Sequence, residues 1–280
     1  MVTIESGTTS VQVLPEEGAL ITRYRTGGSS EEIDWLLPRS RKHAGSFVMV
    51  PFASRIAGGQ FQFRGERIEI KPNVAGESYP IHGFAWQRSW QVVEQSESSV
   101  ILRCVEDAGD WPWSYRADLE LALEDRNLTL RLDVMNDSQQ AMPVGIGFHP
   151  YFPSTPLCHV NALVNHQWYL DEALIPTHKE AINIDRWHPA REQLDNVYSG
   201  WLQKAQLVWP ERRAELAMTA SECFEHFVIY SEDESFCAEP VSNMVDGFNM
   251  MARGEQGHGV TVLESGGRMS GWVKFEPLLW

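Results

Sequence analysis

The sequence predicts an all-β protein built from large antiparallel sheets, and three observations carry that prediction. Apolar and polar residues alternate with period two through one short segment after another, so each segment has one face to bury. Gly, Pro, Asn and Asp punctuate those segments at short intervals. Helical periodicity near 3.6 residues is scarcely visible along the chain. Many short strands with turn chemistry between them fold as a sandwich or barrel, whose sheets bury one face and can hold a ligand on the other.

Alternation first shows in Phe61-Gln62-Phe63-Arg64, Arg67-Ile68-Glu69-Ile70 and Ser99-Val100-Ile101-Leu102-Arg103-Cys104. From Tyr115 to Val134, Leu119, Leu121 and Leu123 share one face, Glu124-Asp125-Arg126-Asn127 turns the chain, and Leu128, Leu130, Leu132 and Val134 follow in step. That pattern predicts a hairpin. Further strands are expected at Ala205 to Trp209, Ala214 to Thr219, Phe224 to Tyr230 and Val260 to Leu263. Between Pro153 and Gly200, Pro156, Pro176 and Pro189 among polar residues predict long excursions from the sheets that shape a cleft.

The chain has 280 residues, 43% of them hydrophobic and 11% aromatic, with 11 Trp; this supplies a sizeable core and leaves rings for a binding surface. One domain over residues 1–280 is expected, because all-β proteins of this length commonly fold as a unit. A formal net charge of -15 argues against nucleic acid as a partner, since phosphate backbones are held by concentrated Lys and Arg. Met1-Val2-Thr3-Ile4-Glu5 opens neither a signal peptide nor a membrane span, so the cytoplasm is the expected location and no membrane partner is expected. Cys104, Cys158, Cys223 and Cys237 lie far apart without a C-x-x-C, which reads as small buried side chains rather than disulfides or zinc ligands.

Familiar catalytic signatures are missing. Gly145-Ile146-Gly147 begins like a dinucleotide fingerprint, but Pro150 occupies the third glycine position and no helix follows. Walker A, H-E-x-x-H and G-x-S-x-G patterns do not occur. His178 and His188 carry no metal-ligand spacing and read as solvent-facing loop residues.

Two histidines stand out, in Ile81-His82-Gly83-Phe84-Ala85-Trp86 and Gly147-Phe148-His149-Pro150-Tyr151-Phe152, each read as a tight turn-like pocket among aromatic rings and glycines. An imidazole can exchange a proton near neutral pH, and sugars stack on rings, so the pair suits a cleft that moves protons on and off sugar oxygens. Arg55, Asp195, Glu239 and Glu264 each sit in a segment that combines charge with turn-forming or aromatic neighbours. Arginine forks two hydrogen bonds to adjacent hydroxyls, and carboxylates accept from hydroxyls or remove a proton; together such groups would recognise a polyol.

In these segments, in this order, the chain resembles the aldose 1-epimerase (galactose mutarotase-like) family over nearly its whole length. The matching stretches are Arg55-Ile56-Ala57-Gly58-Gly59 with Phe63-Arg64-Gly65, Ile81-His82-Gly83-Phe84, Gly147 to Phe152, Leu194-Asp195-Asn196-Val197-Tyr198-Ser199-Gly200, and Glu239-Pro240 running to Asp246-Gly247-Phe248-Asn249. The resemblance implies a β-supersandwich with a sugar in an open cleft, interconversion of the α and β anomers of a hexose, and no metal or organic cofactor. It implies that His149 is the general acid that protonates the ring oxygen, that His82 orients that oxygen, and that Arg55, Asp195 and Glu239 bind sugar hydroxyls. It also implies a general base just after a P-G pair, in a context like V-L-x-P-G-E. Here that stretch is Val262-Leu263-Glu264-Ser265-Gly266-Gly267, so Gly267 stands where the glutamate would be, leaving Glu264 and Glu239 as candidate bases. A sugar-binding relative without turnover is therefore the competing expectation, and a third is a hexose phosphate as substrate, with Arg55, Arg64 and Lys71 as a basic patch.

Overall fold

The leucine alternation builds the spine of one sheet. Tyr115–Glu124 pairs antiparallel with Asn127–Asn136, with Leu119 opposite Leu132 and Leu121 opposite Leu130, all four buried. Asp125 takes φ 55° in the turn between them, a left-handed conformation that Asp tolerates better than most residues. In the computed structural model, which describes residues 1–27, 32–37 and 45–280, this hairpin lies within a nine-stranded sheet. The order there is Arg186–Trp187, His159–Ala162, Lys204–Trp209, Ala214–Ala220, Arg268–Leu279, Asn127–Asn136, Tyr115–Glu124, Ser99–Glu106 and Gln91–Gln95.

An eleven-stranded sheet covers its apolar face. The order runs Val2–Ser6, Thr9–Leu14, Leu20–Gly27, Ser46–Met49, Gly147–Pro153, Ser235–Val241, His226–Ser231, Asp195–Ser199, His166–Leu170 and Pro176–Ala181, with Glu32–Asp34 paired to Leu20–Gly27. Both ladders are antiparallel throughout. Phe148, Phe152, Phe227, Ile229 and Phe236 project from this sheet into the core it shares with the first, where Phe152 meets Phe275 at 6.1 Å between ring centroids. Each such side chain contributes about 1.5–3 kcal/mol on burial. Strand alternation then turns the intervening residues, His149 and Tyr151 among them, toward the sheet's other face. This is the all-β, two-sheet sandwich that the sequence predicts.

Three sequence expectations need correction. Pro153 to Gly200 is not a set of loop excursions: it carries five strands, His159–Ala162, His166–Leu170, Pro176–Ala181, Arg186–Trp187 and Asp195–Ser199. Pro176–Ala181 is an edge strand with nearly every residue outside the core, so it has no apolar face to alternate, and a proline is tolerated at its first position. His149 lies inside the strand Gly147–Pro153 rather than in a turn, whereas His82, at φ 60°, does occupy one. His178 is exposed but sits on a strand, and His188 is half-buried with its ring 5.7 Å from that of His159. The cysteines are free; Cys104, Cys158 and Cys237 are buried and Cys223 is half-buried. Among the described residues no helix is long and apolar enough to cross a membrane; Gly247–Ala252 is the single α-helix.

Candidate active site

Strand register lays out the floor of a cleft on the outer face of the eleven-stranded sheet. Phe47 stands opposite His149, Glu239 opposite Val228, and Val228 opposite Val197. One rung along, Tyr151 is opposite Cys237, Cys237 opposite Tyr230, and Tyr230 opposite Asp195. Because residues i and i+2 share a face, His149 with Tyr151, and Cys237 with Glu239, are brought to the same surface by alternation alone. His149 Nε2 lies 3.4 Å from Glu239 Oε1.

The opposite wall comes from two loops clamped to each other. Isolated bridges join Arg55 to Ile81 and Val50 to Gly83. The Asn73 side chain donates to the Ile81 and Gly83 carbonyls at 2.9 and 2.7 Å and accepts from the Ile81 N–H at 2.8 Å. Asn243 does the same for Ala53, accepting from its N–H at 2.9 Å and donating to its carbonyl at 3.0 Å. Asp246 Oδ1 accepts from the Ala57 N–H at 3.0 Å, and the Asp246 N–H donates to the Arg55 carbonyl at 2.8 Å, which fixes the backbone around Arg55. Gly83 has φ 65°, and a Cβ there would stand 2.0 Å from the Val50 carbonyl oxygen, so the close approach that presents His82 requires glycine.

His82 is held in one tautomer. Its Nδ1 accepts the Ser54 N–H at 3.3 Å, so the neutral ring carries its proton on Nε2 as a donor. Burial, the neighbouring His149 and Arg55 hold its pKa well below that of a free imidazole. The two imidazoles meet edge to face at 5.1 Å between centroids. His149 is itself sandwiched between Phe47 at 4.6 Å and Tyr151 at 4.8 Å, and burial lowers its pKa to about 3. Glu239 is driven the other way: burial, with Asp195 nearby, raises its carboxyl well above the usual range, opposed by Arg55. Asp195 is also raised by burial, against the lowering effect of Arg55. Arg55 forks onto the Glu77 carboxylate through Nε at 3.3 Å and Nη2 at 3.4 Å.

His82, His149, Arg55, Asp195 and Glu239 all line one cavity of 340 Å³, together with Ser54, Tyr151, Tyr230 and Glu232. Five of the six residues singled out in the sequence thus converge. The sixth does not. Glu264 is exposed, pairs with Arg64, and lies in the turn Glu264 to Gly267 that joins Thr261–Leu263 to Arg268–Leu279. That turn is pinned to Asn136, whose N–H donates to the Gly267 carbonyl at 2.9 Å, and the Gly267 N–H closes it on the Glu264 carbonyl at 2.7 Å. A Cβ at Gly267 would come within 2.8 Å of that same carbonyl oxygen. Neither Glu264 nor Gly267 lines the cavity, so the carboxylate beside His149 is Glu239. Arg64 likewise is spent on Glu264 and does not form a basic patch with Arg55 in the cavity.

Tyr151, Tyr230 and Glu232 were not singled out in the sequence, although the i+2 spacing from His149 to Tyr151 could have flagged the first. Glu77 sits in a loop that carries no such signal. His149, Cys237 and Glu239 also bring ligand-type atoms within 4.8 Å of one another, and burial holds the Cys237 thiol well above its ordinary pKa.

The sequence profile of the aldose 1-epimerase family matches residues 1–276, and the chain belongs to that family. It is 29% identical over 221 residues to the uncharacterized protein YphB of Escherichia coli K12, covering 72% of this chain and 74% of YphB. A solved structure from the same organism superposes with a TM-score of 0.90 at 22% identity, covering 99% of this chain and 98% of that one. The galactose 1-epimerase of Lactobacillus acidophilus NCFM superposes with a TM-score of 0.80 at 15% identity, over 99% of this chain and 93% of that one. The fold is therefore that of the galactose mutarotase-like proteins.

Proposed function

We propose that the protein is an aldose 1-epimerase that interconverts the α and β anomers of an uncharged aldose, with Glu239 as base and His149 as acid. The observation that carries this reading is the His149–Glu239 contact, in which an imidazole and a carboxyl stand 3.4 Å apart in a sugar-sized cavity. Burial favours the neutral form of both groups, so the reacting form, with Glu239 ionised and His149 protonated, arises when Glu239 passes its proton to His149.

In the reaction Glu239 takes the proton from the anomeric hydroxyl while His149 gives one to the ring oxygen. The bond from C1 to the ring oxygen breaks, C1 becomes an aldehyde carbon, and rotation about C1–C2 exposes its other face. Reclosure returns one proton to O1 and the other to His149, so no net proton is consumed. Such a pair contributes about 10²- to 10⁴-fold per proton transfer. His82, its Nε2–H fixed as donor, orients the ring oxygen; Arg55 and Asp195 hold neighbouring hydroxyls.

The same cavity disfavours a phosphorylated sugar. Among its described lining residues Arg55 is the one guanidinium or ammonium group, it is already paired with Glu77, and it is outnumbered by Asp195, Glu232 and Glu239. A dianion placed there would face three carboxyl groups. The competing reading, a relative that binds without turnover, rests on the missing glutamate at Gly267; against it, Glu239 offers a carboxyl beside His149. The test is polarimetry of freshly dissolved α-glucose and α-galactose. Equilibration faster than in buffer supports the reading; binding of these sugars without acceleration refutes it.

A further inference from the structure

A thiol lies beside the His149–Glu239 pair. Cys237 precedes Glu239 by two residues on Ser235–Val241, so alternation sends both side chains to one face, and Tyr151 opposite Cys237 sets that thiol one rung from His149. A ring nitrogen of His149, Cys237 Sγ and a carboxylate oxygen of Glu239 all lie within 4.8 Å of one another, and all three residues are buried. Zinc ligands held at about 2.1 Å in a tetrahedron stand about 3.4 Å apart. The separation of His149 Nε2 from Glu239 Oε1 is already 3.4 Å, so the sulfur alone has to close in. Hydrogen-bonded strands carry all three ligands, which leaves little of the site to be organised on binding.

We infer that Cys237 Sγ, His149 Nε2 and Glu239 Oε1 form a binding site for Zn²⁺, with a fourth position open to the cavity that His149 and Glu239 line. A thiolate, an imidazole and a carboxylate together select zinc or a similar late first-row cation over magnesium or calcium. The thiolate and the carboxylate cancel the charge of the ion, which suits a buried place where surplus charge is costly. Asp195 and Glu232 in the same cavity add to the attraction, while Arg55 is drawn aside by Glu77. On binding, the thiol proton leaves to solvent and the sulfur lone pair goes to the ion; nothing is oxidised or reduced. The ion then occupies the nitrogen and the oxygen between which the proposed proton transfers run, so it acts as an inhibitor and not as a cofactor. That consequence rests on the mutarotase reading; the metal site itself does not.

The purified full chain, freed of metal with a chelator and dialysed, is titrated with zinc chloride by calorimetry, and with cobalt chloride by absorption. One ion per chain is expected, and the cobalt form should show the thiolate-to-metal charge-transfer band, which needs no variant to read. Cys237→Ser, close to cysteine in volume, is expected to lose that band and to weaken zinc at least about a hundredfold, more than the loss of an outer partner costs. Circular dichroism of the variant checks that it is folded. Polarimetry of glucose on the same samples should show turnover falling in step with zinc occupancy, each protein being compared with its own metal-free rate. Absence of zinc binding overturns the inference and leaves the mutarotase reading untouched. Binding that Cys237→Ser does not weaken also overturns it, by placing the ion elsewhere, for instance at His159 and His188, whose rings stand 5.7 Å apart. If zinc binds through Cys237 and turnover is unchanged at full occupancy, the metal site stands and the assignment of Glu239 and His149 as base and acid falls.

Discussion

Glu239 and His149 stand on adjacent strands with Oε1 and Nε2 3.4 Å apart, each nearly sealed from solvent, and burial displaces their pKa values in opposite directions. A single substitution separates the roles of charge and shape in this pair. Glu239→Gln keeps the shape and removes the titration, and is expected to lower kcat by about 10²- to 10⁴-fold. Sugar affinity measured by calorimetry should change far less. The folded-state pKa of this carboxyl lies above the unfolded one, so the native form loses stability as pH rises through that window; the glutamine variant lacks this loss. Urea unfolding at pH 4 and pH 7 should therefore show the variant gaining on the parent protein at the higher pH.

His82 sits at φ 60°, where Asn is tolerated and a β-branched residue is not. His82→Asn is expected to fold, with a melting temperature within a few degrees of the parent, and to lose about 10²-fold in kcat/KM as the Nε2–H donor disappears. Circular dichroism and polarimetry on the same sample check both halves of this expectation.

Acid should weaken the fold through two neutral histidines. Burial lowers His149 to about 3 and His226, with Lys179 nearby, to about 4, whereas an unfolded histidine titrates near about 6.5. Below that value the unfolded chain binds protons that the native chain refuses, so stability falls as pH falls from about 6.5 toward 4, by about 1.4 kcal/mol per pH unit for each histidine. His226→Phe is expected to remove about half of this two-histidine contribution, read as a smaller slope of unfolding free energy against pH between 6 and 4.5.

Glu264 provides the contrast among the carboxylates. Its ion pair with Arg64 is exposed on both sides, and exposed pairs contribute about 0–1 kcal/mol. Glu264→Gln should leave kcat/KM within twofold of the parent and the unfolding free energy within about 0.5 kcal/mol. A loss of turnover comparable to that of Glu239→Gln would return the base to the turn and overturn the assignment proposed above.

Much of this was legible in the sequence. The leucine ladder from Leu119 to Leu132 forms the hairpin it predicts, and the two alternating segments around Phe61 and Ile68 form strands that pair with each other. Strands between Pro153 and Gly200 escaped notice because edge strands such as Pro176–Ala181 are solvated on both faces and carry no alternation. His149 and His82 were identifiable from their aromatic and glycine neighbours. The position of the paired carboxylate was not, because Glu239 reaches His149 across a strand pairing of residues 90 apart, and no local pattern encodes register between such distant segments. The tautomer of His82, set by a backbone N–H of Ser54, depends likewise on tertiary contact.

The division between sheet and loop at this site has a consequence for how relatives of the protein can diverge. Glu239 and His149 hang from hydrogen-bonded strands in the middle of an eleven-stranded sheet, where a shift of one residue would turn both toward the core. Arg55, His82 and Trp86 come from loops tied down by individual amides such as Asn73 and Asn243. Under the proposed assignment, insertions in those loops would reshape the wall of the cleft while the sheet rung that carries Glu239 and His149 stays untouched.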